Sequence, residues 1–144
     1  MTAQEIFDTV LAHLRKQGEA AKSYEGECVY RGPDGTSCAV GCLIPDELYD
    51  PLIEGLSAYE IMTGSRPQHD QCEWAEAMAL VTTRIAKHIG VEHSPLLEEL
   101  QIAHDSHLAG KGITAWECKM QATAENFDLA YTPAGPRTSD RRAT

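Results

Sequence analysis

The chain has 144 residues, 42% of them apolar, with 22 acidic against 12 basic side chains and a formal net charge of -10. That length builds one modest core rather than two, and no apolar run approaches the roughly 18 residues needed to cross a bilayer. A body of this sign repels phosphate backbones, which argues against direct DNA or RNA binding and for a protein partner or a homo-oligomer. The opening, MTAQEIFD, lacks the basic flank of a secretory leader, so a cytoplasmic setting is expected. Charge is uneven along the chain: residues 1–130 hold 9 basic and 21 acidic side chains, and the last 14 add a net +2 through Arg137, Arg141 and Arg142 against Asp140.

Residues 3–17 carry Ile6, Phe7, Val10, Leu11 and Leu14 at helical spacing, the apolar stripe of an amphipathic helix. Thr2 followed by Glu5 is a capping-box pattern, and Gly18 after Arg15 and Lys16 is a stop with cations at the negative end. Residues 19–25 read as a polar, exposed link. The stretch 26–55, GECVYRGPDGTSCAVGCLIPDELYDPLIEG, then holds three of the five cysteines and the densest turn chemistry. Cys28, Val29 and Tyr30 form a short apolar run, and Gly32-Pro33-Asp34-Gly35 supplies turn residues. A return strand through Thr36 to Cys38 would close a small β-hairpin, which is marginal alone and must lean on helices. In the alternative, Ser37 caps a helical turn running from Cys38 through Leu43. Pro45 ends that segment and opens a second short helix through Tyr49.

Two chemistries compete at Cys38. A thiol at a helix N-terminus has a lowered pKa and is a candidate nucleophile; His104 would be its base, with Asp105 or Gln101 beside it. Against this, Cys38 and Cys42 are four apart, share a face and pack as small hydrophobes. No known cysteine-protease signature surrounds Cys38, and packing is the weightier reading. Metal binding would pair Cys38 and Cys42 with Cys28 and with Cys72, Cys118 or a histidine, a spacing unlike ordinary zinc knuckles. No metal or other cofactor is therefore expected. An odd number of cysteines without a leader also opposes a disulfide framework.

Residues 51–55 allow only short helical pieces, and Leu56, Tyr59, Ile61 and Met62 form a weak apolar cluster ending at Gly64. Residues 64–71, GSRPQHDQ, read as a surface loop. Between residues 46 and 76 lie eight acidic side chains and a single Arg66, the span best matched to a basic partner. A second long helix from about 71 to 89 presents Trp74, Met78, Val81 and Ile85 as core, with Gly90 as its stop. Ser94 and Pro95 open a third, which buries Leu96, Leu97, Leu100 and Ala103 and leaves Gln101, His104 and Asp105 as a polar patch at the edge. His104 and His107 are a further ligand pair to weigh with His93 or Cys118, although no H-E-x-x-H arrangement is present. Gly110-Lys111-Gly112 is a joint that lacks the rest of a phosphate-binding loop. Thr114 with Glu117 is a capping box for a fourth helix reaching about residue 127, which packs Trp116, Met120, Ala124 and Phe127. From Tyr131 onward the composition is that of a mobile tail.

These elements predict a mainly α fold: about four amphipathic helices, with a small β-hairpin and short helical turns inserted after the first helix, in a single domain over residues 1–130. The run Arg31-Gly32-Pro33-Asp34-Gly35, followed by Cys38-Ala39-Val40-Gly41-Cys42-Leu43-Ile44-Pro45 and then Glu47 and Tyr49, resembles small proteins of unassigned function from tailed bacteriophages and prophages. Leu100, Gln101, His104 and Asp105 are similar to a second landmark of that group. The resemblance covers about the first 130 residues and brings no activity with it. It implies a place inside a bacterial cell and, by association, a counter-defence role. The expected function is that of a small acidic, non-enzymatic accessory protein binding a host or phage macromolecule. The alternative is a cysteine-dependent hydrolase or transferase built on Cys38, His104 and Asp105.

Overall fold

A computed structural model describes residues 1–64 and 74–135. Residues 65–71 of the expected 64–71 loop, Cys72 and the chain beyond residue 135 lie outside the described residues. The first helix, α1 (Ala3–Gln17), opens with the predicted box: the Thr2 hydroxyl accepts the Glu5 amide and the Glu5 carboxylate accepts the Thr2 amide. Gly18 closes it at φ 73°, a left-handed conformation that a side chain would strain. All five stripe residues are buried. From there to residue 57 the regular structure is two 3-10 turns, Gly41–Leu43 and Pro51–Ile53. Helices α2 (Ala58–Thr63), α3 (Ala75–Ile89) and α4 (Ser94–Ile102) follow, then a π-helical segment Ala103–Leu108, α5 (Ala109–Lys111) and α6 (Ile113–Asn126). The fold is mainly helical, as the periodicity requires. Helix α2 packs on α3 and α4, α6 on the π-helical segment, and α1 on the 41–43 turn.

The hairpin does not form. Among the described residues there is no strand; two isolated antiparallel bridges, Lys22 with Cys28 and Arg31 with Ser37, stand in its place. They belong to a nine-residue unit used twice. In the first unit the Val29 amide donates to the Ala21 carbonyl and the Ser23 amide to the Glu27 carbonyl, around Gly26 at φ 86°. In the second the Cys38 amide donates to the Tyr30 carbonyl and the Gly32 amide to the Thr36 carbonyl, around Gly35 at φ 76°. The sequence repeats in step: Lys22-x-x-Glu25-Gly26-x-Cys28, then Arg31-x-x-Asp34-Gly35-x-Ser37. Each unit closes after a single bridge because its ends turn inward, where Ala21, Tyr30 and Cys38 are buried. The link expected to be exposed at 19–25 is thus half of a repeat and carries a core residue.

The chain then enters the interior. Cys38, Ala39, Val40, Gly41, Leu43 and Ile44 are all buried. At Gly41 an added Cβ would sit 2.1 Å from the Tyr30 carbonyl oxygen, so only glycine lets the two segments approach. Beyond Pro45 the backbone makes a turn, with Leu48 and Tyr49 amides on the Pro45 carbonyl, and not the expected second helix.

Other departures have local causes. Helix α3 buries Thr82, Ile85 and Ile89, but Trp74 is 54% exposed and Met78 and Val81 are half-buried. Its partner α2 has six residues against fifteen, so the first turns of α3 extend past their cover. The Thr114–Glu117 box is absent because Arg15 claims Glu117 through two bonds of 2.6 and 2.9 Å, and α6 starts at Ile113 after Gly112. Ser94 is the first residue of α4 and not its cap; its hydroxyl is buried without a partner. The expected mobile tail does not begin at Tyr131. That ring stacks under the Arg15 guanidinium at 5.6 Å, its hydroxyl reaches Glu117 at 2.8 Å, and Arg15 donates to the Thr132 carbonyl at 2.7 Å.

Candidate functional site

An irregular segment of this length exposes many backbone amides to the interior, and each needs an acceptor. Four side chains from outside the repeat collect them. His104 Nε2 accepts the Ala21 amide at 2.9 Å, and Glu54 accepts the Tyr30 amide at 2.9 Å. Gln101 Oε1 accepts the Val40 amide at 3.2 Å, and Gln17 Oε1 the Ser37 amide at 3.0 Å. Ala21 and Tyr30 are equivalent positions of the two units, so His104 and Glu54 perform the same task. Asp105 joins two of these hooks: its Oδ1 accepts Gln101 Nε2 at 2.8 Å and His104 Nδ1 at 2.7 Å. The π-helical segment places the fully buried His104 and the exposed Asp105 side by side. Bond directions here are forced. A backbone amide only donates, so His104 Nε2 is the unprotonated nitrogen and Nδ1 carries the proton given to Asp105. In this arrangement the imidazole is neutral and has no lone pair left over.

Of the predicted trio, His104 and Asp105 therefore come together, but Cys38 is not the thiol that joins them. Among the described residues it is Cys28 whose sulfur lies within 4.8 Å of ligand atoms of both His104 and Asp105. Burial of that sulfur, then the negative charge of Asp105, push the Cys28 thiol pKa up, which disfavours a thiolate. Cys38 is fully buried, and burial pushes its thiol up to about 12; the Gly41 amide, 3.3 Å from the sulfur, offsets only part of that. Cys42 is pushed up to about 12 by the same cause, with its thiol donating to the Ala39 carbonyl at 3.1 Å. The single 3-10 turn after Cys38 offers no long helix terminus to reverse this. The geometry favours packing for both thiols.

Cys28, His104 and Asp105 do not fit a metal either. A ligating histidine presents a lone pair to the ion and donates its second N–H outward. The Nε2 lone pair of His104 instead receives an amide and its Nδ1–H is given to Asp105. Cys38 and Cys42 do not converge with Cys28 or Cys118 as ligands, and His104, His107 and His93 form no such group among the described residues. His93 is engaged with the Met1 carbonyl at 2.7 Å.

Beside the clamp lies a cleft of about 500 Å³, bounded by residues 28–30, by residues 54–60 and by the outer face of α4 and the π-helical segment. Among the described residues, four carboxylates line it, those of Glu54, Glu60, Glu98 and Asp105, and no lysine or arginine does. Three are fixed by internal bonds: Glu54 on the Tyr30 amide, Glu60 on the Ser57 amide at 3.0 Å, and Asp105 on Gln101 and His104. Val29, Leu56 and Ile102 supply apolar surface. The acidic character of residues 46–76 was legible in the sequence, but Glu98 and Asp105 arrive from a separate helix. Cys28 was weighed as a metal ligand with Cys38 and Cys42 and not as the thiol beside His104 and Asp105, and the Ser57–Glu60 capping box was missed despite a legible S-x-x-E pattern. Comparison with protein-family profiles, curated proteins and solved structures finds no match to this chain. Among the described residues, no helix is long and apolar enough to cross a membrane.

Proposed function

We propose that the chain is a small, non-enzymatic binding protein that engages a macromolecule inside a bacterial cell. The observation that carries this is the commitment of His104: both ring nitrogens serve the fold, and its neighbour Asp105 is held by two internal donors. The groups a cysteine enzyme would need thus act as a clamp on the irregular segment. A net charge of -10 and a cleft whose charged lining groups, among the described residues, are all carboxylates favour a basic protein partner over nucleic acid. The resemblance of residues 31–45 to phage and prophage proteins supports an accessory role, with counter-defence its associated form.

The test starts from affinity capture on immobilised protein in a bacterial lysate, followed by calorimetry of the purified pair. A saturable complex of fixed stoichiometry is the expected result. Turnover of ester or peptide substrates by the purified chain, abolished by Cys38→Ser, would reverse the reading in favour of the enzyme.

A further inference from the structure

Resting on that reading, we propose that the cleft is the docking site and that its occupant is a basic segment of another protein, with arginine side chains lying along α4. Glu98 on α4 and Asp105 on the π-helical segment are seven residues and about two turns apart, both line the cleft, and they are separated by roughly 10 Å along the axis. Ile102 lies between them, 46% exposed within a concave surface. Glu98 makes no hydrogen bond or ion pair among the described residues. Both internal bonds to Asp105 fall on Oδ1, so its second oxygen is not used by the clamp. Glu54 and Glu60, held in place across the cleft, add two charges that no basic lining residue among those described compensates.

The occupant follows from that geometry. Carboxylates two turns apart do not converge on one ion, and phosphate is repelled. A peptide in the polyproline II conformation advances about 3.1 Å per residue with three residues per turn, so side chains three positions apart share one face at about the 98–105 spacing. Arginine fits better than a small cation: its planar fork pairs with carboxylates, and its stem covers apolar surface such as Ile102.

The experiment uses the full chain and a blocked hexapeptide, Arg-Gly-Gly-Arg-Gly-Gly, with a citrulline counterpart as the neutral isostere, followed by NMR. Saturable shifts at Val29, Ile102 and Ser106 are expected, with about tenfold weaker binding for the citrulline peptide and for Glu98→Gln. Ser106→Arg places a cation at an exposed position of the cleft and should abolish binding while leaving the melting temperature unchanged. Shifts scattered over the acidic surface, or equal binding of the citrulline peptide, would overturn the assignment. A purified partner that binds wild type and Ser106→Arg equally would also overturn it, while the binding reading stands. Failure to find any saturable partner removes that reading and the docking site with it.

Discussion

Replacing His104 with alanine separates a structural histidine from a catalytic one. The Ala21 amide, buried with its residue at 0% exposure, loses its acceptor, a cost of about 1–3 kcal/mol. The bond from Nδ1 to the Asp105 carboxylate goes as well, worth about 1.5–3 kcal/mol for a charged acceptor. Together these give about 2.5–6 kcal/mol, a large part of the 5–15 kcal/mol typical of a domain. At roughly 3 °C per kcal/mol for a chain of this size, the melting temperature should fall by about 8–18 °C. His104→Gln keeps one of the two bonds and should lose about half as much. Thermal and urea unfolding measure both variants. A catalytic histidine held in strain would behave the other way, since removing such groups leaves stability level or raised. If His104→Ala melts with the wild type, the clamp is wrong.

The remaining predictions concern packing, charge and the end of the fold. Gly41→Ala drives a Cβ against the Tyr30 carbonyl and should cost about 3 kcal/mol or more, whereas Gly110→Ala, in helix with open space, should gain about 0.5–1 kcal/mol by urea midpoint. Cys38 and Cys42 are pushed from 9.0 up to about 12 in the folded chain. Between those values the unfolded state releases protons that the folded state keeps, so their contribution is complete below about pH 9 and lost as pH rises toward 12, at no more than about 1.4 kcal/mol per unit for each thiol. Urea midpoints from pH 8 to 10 should slope less steeply in a Cys38→Ala, Cys42→Ala double variant, and an equal slope would refute the linkage. Truncation after Ala130 removes the Tyr131 and Thr132 contacts to Arg15 and Glu117 and should destabilise by about 1–2 kcal/mol, measured against Tyr131→Ala.

The helices were legible because periodicity and caps are local. Ile6 to Leu14 at helical spacing, bounded by Thr2 and Gly18, needs no tertiary information to place. Trp74 was misread for the same reason: it sits in register with Met78 and Ile85, but burial depends on whether a partner reaches that far, and α2 ends too soon. Glu117 shows the reverse case, a local cap pattern overridden by an arginine 102 residues away. At the candidate site, His104 and Asp105 were singled out correctly as unusual polar neighbours of leucines. Their role was not legible, because it depends on the amide of Ala21, in a link whose side chains give no hint of burial.

The nine-residue repeat explains why the two hooks differ. Both units present the same amide, at Ala21 and at Tyr30, and sequence repetition alone would allow the same acceptor at each. The surroundings do not. The Ala21 bond is fully buried, where an ionised carboxylate carries a heavy desolvation cost and a neutral imidazole does not. The Tyr30 bond is only part-buried beside the cleft, so the Glu54 carboxylate keeps contact with solvent while holding the amide with both oxygens. His104 then needs an acceptor for its remaining proton, and Asp105, half outside the core, provides it without bringing a charge into the interior. The polar patch beside the leucines of α4 is thus the interior's answer to a backbone that does not form strands. The charges this leaves at the rim, on Glu54 and Asp105, join those of Glu60 and Glu98 in giving the cleft its sign.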